Sequence, residues 1–286
     1  MRHFVILAVL VPFVGCSASV NGAVDNQSVP ALFSAFFVQR KVDAVDPGGQ
    51  PATLFTVNAG GLSVFDGCTE MAKRQVADND AFHTQTKALN DAGTDIDKTK
   101  KANNDFFSAE ADYDAKHLPS DYWAASVQLS AFSENDLNGG KADIDVQCQS
   151  AVDCAQDEVC VASSPTVSAC QKPADPRPKG DTIIGQVSLC RVDNFPETKT
   201  DSDGFVSLLR HDSCFNAKKG TVNVSSYTKD KTVTVTADVD FARADKLNDD
   251  AGSAVVTISG GWCTDLENAL DERDGLVKDR AQPAGG

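Results

Sequence analysis

Four stretches in the second half of the chain alternate apolar and polar residues with a period of two: 182–189, 221–226, 232–240 and 254–259. Val222 and Val224, Val233 and Val235, then Ala237 and Val239 fall on one face, and Thr, Asn or Asp take the other. Successive strand side chains point to opposite faces, so this pattern reads as an antiparallel sheet buried on one side. Earlier, residues 31–42 (ALFSAFFVQRKV) and 52–58 (ATLFTVN) are rich in Phe and Val and flank the turn residues Asp46-Pro47-Gly48-Gly49. They predict a hairpin, followed by residues 62–65 leading into Cys68. Residues 122–132 (YWAASVQLSAF) and 141–147 predict two further strands around an Asn138-Gly139-Gly140 turn.

From Thr69 the texture becomes polar, and Met71, Val76 and Leu89 follow a loose helical spacing that ends at Gly93. After Thr94, which suits an N-cap, Ile96, Thr99, Asn103, Phe106, Glu110 and Tyr113 recur by threes and fours. Residues 69–116 are therefore expected to form a helical hairpin with one thin apolar stripe. Another helix is expected over 265–280, within a C-terminal helix and tail at 265–286. Strands on both sides of an inserted hairpin imply a mainly β fold, antiparallel and sandwich-like, with late strands pairing with early ones. Its pieces are 31–68, 117–147 and 180–264, with a small disulfide-rich segment and a proline-rich linker at 148–179.

Residues 1–15 have the layout of a signal peptide, with Arg2 and His3, an apolar run of 11 residues at 4–14, and small Gly15 before Cys16. The run is shorter than the about 20 residues that span a bilayer. Phe13-Val14-Gly15-Cys16 resembles a lipobox, with Phe where Leu is usual, and makes Cys16 the expected lipidation site. Two or three acyl chains would attach it stably to a membrane. Residues 17–27 are small and polar, so 16–30 reads as lipidated cysteine plus tether.

Cysteine parity agrees. Nine cysteines are odd for an exported chain, and assigning Cys16 to lipid leaves eight that can all pair in an oxidising compartment. Cys68, Cys190, Cys214 and Cys263 end predicted strands, so Cys68 with Cys263 would tie the first strands to the last, and Cys190 with Cys214 would close the loop between. Cys148, Cys154, Cys160 and Cys170 admit three pairings; the working choice is Cys148 with Cys160 and Cys154 with Cys170. Their spacing lacks the close pairs of zinc sites, so no metal is expected.

Several of these features together resemble the uncharacterised cell-envelope lipoproteins abundant in myxobacteria and related Gram-negative bacteria. The likeness rests on the lipobox cysteine, on Asn21-Gly22-Ala23-Val24-Asp25 before a Phe-rich strand, and on the 148–170 cysteine spacing. Gly220-Thr221-Val222-Asn223-Val224 through Trp262-Cys263 complete it. The resemblance implies a β-rich envelope lipoprotein and hands over no activity and no catalytic residue. Ser17 after the cysteine resembles the outer-membrane sorting pattern of enteric bacteria, so a lipid-anchored outer-membrane location is expected.

The charge balance of 26 Lys and Arg against 41 Asp and Glu, net −15, disfavours nucleic acid and anionic headgroups. Only His83, His117 and His211 follow the leader, on unlike segments, and no G-x-S-x-G elbow, phosphate loop, dinucleotide fingerprint or H-E-x-x-H occurs. Asp201-Ser202-Asp203-Gly204 suggests a calcium loop, yet Lys199 and Arg210 would occupy ligand positions, so it reads as a turn. No catalytic residue, metal or cofactor is expected. The favoured expectation is a non-enzymatic envelope module contacting another envelope protein through the helical hairpin. The alternative is a carbohydrate-binding or carbohydrate-active sandwich using Tyr122, Trp123 and Trp262, which look exposed.

Overall fold

The computed structural model describes residues 16–281 apart from 46–50, 120, 145–158, 165–166, 172–182, 194–196, 210–211 and 245. The period-2 segments become β9 (Ile184–Asp193), β12 (Ser213–Thr228), β13 (Thr232–Arg243) and β14 (Lys246–Trp262). The early hairpin is β3 (Ser34–Val45) and β4 (Pro51–Leu62), followed later by β5 (Asp121–Ala131). These strands neighbour one another in the order β13-β12-β9-β5-β4-β3-β14, and β13 also pairs with β14. The sheet therefore closes on itself. Within the ring only the β3–β14 pairing is parallel, a seam of two residue pairs, Phe36 with Gly261 and Phe37 with Trp262.

One core fills the ring. Val57, Val127, Leu129, Val187, Leu189, Val222, Val235, Phe241, Val256 and Ile258 all point into it and are almost fully buried. Each is worth about 1.5–3 kcal/mol relative to exposure. A second core lies outside the ring: Phe36, Val38, Leu62, Val64 and Tyr122 face outward, where Ala72 and Leu266 of the helices cover them. Strand β3 is thus buried on both faces, Phe37 inward and Phe36 and Val38 outward, which explains its unbroken apolar run. Tyr122 and Trp123 are each only 7% exposed, which corrects the expectation that they look outward to solvent: Trp123 joins the inner core, and Tyr122 lies beneath the helices.

The helices are α1 (Gly67–Ala92), α2 (Ile96–His117) and α3 (Thr264–Ala281). Helix α1 lies between the other two and is joined to them mainly by polar side chains. Arg74 pairs with Asp114 of α2, and Gln85 Nε2 donates to Asn103 Oδ1 at 2.9 Å. Asn79 Nδ2 donates to Ala269 O of α3 at 2.7 Å, and the Arg273 guanidinium sits 3.8 Å above the Phe82 ring. A helical layer this poor in apolar residues is held together because the buried side chains of Asn79, Gln85 and Asp114 find partners across the interfaces, whereas the buried Thr86 hydroxyl has no hydrogen-bond partner among the described residues. The cap of α2 is Asp95, whose carboxylate accepts from the Lys98 N–H at 3.1 Å, and not Thr94; ionised acceptors cap a helix start well.

Residues 16–30 do not form a tether. Ser17–Val24 is strand β1, paired antiparallel with β14 from Ser17–Ser259 to Gly22–Ala254, and Gln27–Ser28 is β2, folded back on it. Ala18, Val20 and Val24 are buried at β1, an alternation carried by side chains too small to announce a strand. Strands form on both sides of the Asn138-Gly139-Gly140 turn, as expected, and β6 (Lys141–Ile144) pairs with β12, after a 3-10 turn at Glu134–Leu137. Two further short hairpins are β7 (Val159–Ser164) with β8 (Val167–Gln171), and β10 (Glu197–Thr200) with β11 (Val206–Leu209).

Candidate functional site

Cys16 stands immediately before β1, exposed and without a disulfide. Its Sγ accepts the backbone N–H of Gly261 at 3.1 Å. A Cβ on Gly261 would lie 3.0 Å from that sulfur, so the bare glycine makes the room Cys16 occupies. The residue is thus placed on the sheet wall, close to where β14 passes from pairing with β1 to pairing with β3.

The paired cysteines do a different job. Cys68 and Cys263 form a disulfide that clasps the starts of α1 and α3, and Cys190 and Cys214 bridge directly opposed positions of β9 and β12. These are the couples expected from their positions along the chain. Cys148 and Cys154 lie outside the described residues, while Cys160 and Cys170 face each other in the β7–β8 backbone register.

A cleft of about 360 Å³ opens where β3 and β4 meet the 3-10 turn, the β12–β13 turn and α3; Gln39, Phe55, Glu134, Tyr227, Lys229 and Glu267 line it. Its side chains form one network. The Tyr227 hydroxyl donates to Gln39 Oε1 at 2.9 Å, with Glu134 Oε1 a longer second acceptor at 3.3 Å. Glu267 Oε2 accepts both the Gln39 backbone N–H and the Trp262 indole N–H, each at 2.8 Å. Lys229 Nζ lies 3.7 Å from Glu134 Oε2, and Gln39 Nε2 donates to Asp230. Burial pushes the Tyr227 phenol pKa up, and the Glu134 carboxylate pushes it further, so the hydroxyl keeps its proton and acts as a donor. Such an array can orient a polar, hydroxyl-rich ligand.

A groove of similar size, about 360 Å³, runs along the hairpin between α1 and α2, lined by Ala77, Ala81, Ala88, Ala109, Phe106 and Tyr113. Small residues keep it open, and the exposed acids Asp80 and Asp105 belong to its lining.

Trp262 alone of the three flagged aromatics is near a cleft; it is half-buried and turned to Glu267. The cleft's other members come from separate elements with no local motif, and sequence reasoning missed them. His83 and His117 are exposed on different helices, His117 stacked on Tyr113 at 4.3 Å, and His211 lies outside the described residues. Asp201 forms a turn, its Oδ1 accepting the N–H groups of Asp203 and Phe205 at 2.9 Å. Among the described residues no three His, Cys, Asp or Glu side chains are grouped to hold a metal ion, and no helix is long and apolar enough to cross a membrane.

The chain matches no protein-family model, and no curated protein and no solved structure matches it significantly.

Proposed function

We propose that this chain is an exported lipoprotein of a bacterial envelope, anchored to the outer membrane through acyl chains on Cys16, and that its folded part is a non-enzymatic interaction module. The observation that carries the reading is the contrast among cysteines. Cys68, Cys190, Cys214 and Cys263 are consumed in structural disulfides, which belong to an oxidising compartment, whereas Cys16 is exposed and unpaired directly after a leader-like segment. The helical hairpin is the contact element. Its α1 has 26 residues, so at 1.5 Å per residue its tip stands about 39 Å from the end clasped by Cys68, and its alanine-lined groove can admit a narrow apolar segment of an envelope protein.

Two measurements test it together. Cys16→Ser should abolish incorporation of labelled fatty acid and release the protein from membranes. Ala109→Arg, at an exposed groove position, should leave folding and anchoring intact while removing a cross-linked envelope partner seen with the wild type. Retention of membrane attachment by Cys16→Ser would overturn the anchor, and an unchanged cross-linking pattern in Ala109→Arg would overturn the groove.

A second reading, a carbohydrate-binding site, is supported by the cleft of Glu134, Tyr227 and Glu267 beside Trp262. It no longer draws on Tyr122 or Trp123. Binding of oligosaccharides that is lost in Glu134→Gln would support it; equal binding by wild type and variant would exclude this cleft.

A further inference from the structure

We propose that Phe33 and Phe65 form an aromatic foot that rests in the bilayer interface beside the anchor, seating the β domain directly on the membrane. This rests on the reading of Cys16 as the lipidated residue. The two phenylalanines are 52% and 76% exposed, and their rings stack with centroids 4.8 Å apart and planes 20° from parallel. Single exposed apolar residues need no explanation, but two rings brought together from separate segments make a patch that water solvates poorly.

Position identifies what covers the patch. Ala18 bridges Leu32 in antiparallel fashion, and both are buried; exposed Ser17 and exposed Phe33 are the next residues on the same side of that bridge. Continued at an ideal strand spacing of about 4.8 Å and a rise of about 3.4 Å per residue, that bridge would put Cys16 about 6 Å from Phe33, Cα to Cα. The Phe33 N–H donates to Leu62 O at 2.7 Å, which ties this segment to the end of β4, three residues before Phe65. Ser17 is already in the β1–β14 ladder, so no slack chain separates an acylated Cys16 from the fold. Acyl chains entering the membrane there must draw the adjoining surface down to it. That surface offers aromatic rings, and the neighbouring acid Asp66 turns its carboxylate onto Thr69 Oγ1 at 2.9 Å, within the first turn of α1. Apolar rings beside an acyl chain add a second attachment to the first.

The full chain, expressed with its own leader and reconstituted in phosphatidylcholine vesicles with or without brominated acyl chains, provides the test. Phe65→Trp and Phe33→Trp are compared with the wild type, whose Trp123 and Trp262 set the background, and with Ile96→Trp beyond the far end of α1. Mass spectrometry of the same samples reports the state of Cys16. With Cys16 acylated, the added emission of Phe65→Trp and Phe33→Trp should fall several-fold on bromolipid and resist iodide, while that of Ile96→Trp should do neither. Acylated Cys16 with both foot tryptophans unaffected by bromolipid overturns the foot and leaves the anchor standing, including the case in which a protein shields them from iodide. Equal bromolipid quenching at Ile96→Trp also overturns the foot, since the domain then lies along the membrane. Unmodified Cys16 overturns the anchor and the foot with it.

Discussion

Asp114 grips Arg74 with both carboxylate oxygens, at 2.8 Å from Nε and 3.1 Å from Nη2, and its own side chain is only 2% exposed. Burial opposes the Arg74 charge, but the bonds and charge of Asp114 outweigh that cost and raise the guanidinium pKa above its usual value. The pair locks α2 onto α1, and losing one member strands the other.

Asp114→Ala should cost about 3 kcal/mol, the lower end for breaking a buried ion pair because Arg74 retains some access to solvent. The double variant Arg74→Met, Asp114→Leu should recover most of this, since matched apolar groups need no partner. Urea unfolding of the three proteins checks it; a double variant as unstable as Asp114→Ala would contradict the account.

The two described disulfides should differ in worth. Cys68–Cys263 closes a sequence separation of 195 residues and Cys190–Cys214 one of 24. Loop-closure entropy then gives about 5 and about 3 kcal/mol. Thermal melts of the paired serine variants should rank accordingly, with the Cys68, Cys263 variant the weaker.

Trp123 is a core residue, so Trp123→Ala should cost about 3–5 kcal/mol whatever ligands are present. A stable Trp123→Ala protein that had lost saccharide binding would show that the ring serves a ligand instead.

Folding raises the Tyr227 pKa, so the native state holds the phenolic proton more tightly than the unfolded chain. The associated stabilisation is complete below pH 10.0, the ordinary phenol value, and is lost as pH rises through the higher native value. Wild-type stability should therefore fall more steeply than that of Tyr227→Phe above pH 10.0, a comparison that removes the shared titration of lysines. Parallel curves would contradict it.

The elements legible in the sequence were those whose side chains declare a period over several residues. Val222 through Val239 did so, and so did the Phe-rich hairpin of β3 and β4. Strand β1 escaped because Ala18 and Val20 alternate with Ser and Asn, a contrast too slight to register, although Gly22 marks it: a Cβ there would stand 2.3 Å from Ser253 O of β14. Trp123 and Tyr122 misled because adjacent strand residues point opposite ways, which suggests that one is exposed, whereas the helices bury the outward face too. The polarity of the hairpin suggested an unpartnered surface, but Arg74, Asn79 and Gln85 are satisfied within the helical layer. The cleft around Tyr227 was illegible in principle, since Gln39, Glu134, Tyr227 and Glu267 meet only after the ring closes.

The chemical fate of the Cys16 sulfur decides between an anchored and an unanchored protein. Intact-mass and peptide analysis of the protein extracted from membranes, without reduction, should find a chain beginning at Cys16 with that residue acylated and Cys68, Cys190, Cys214 and Cys263 oxidised. A Cys16 carrying a free thiol, or joined to another cysteine, would contradict it.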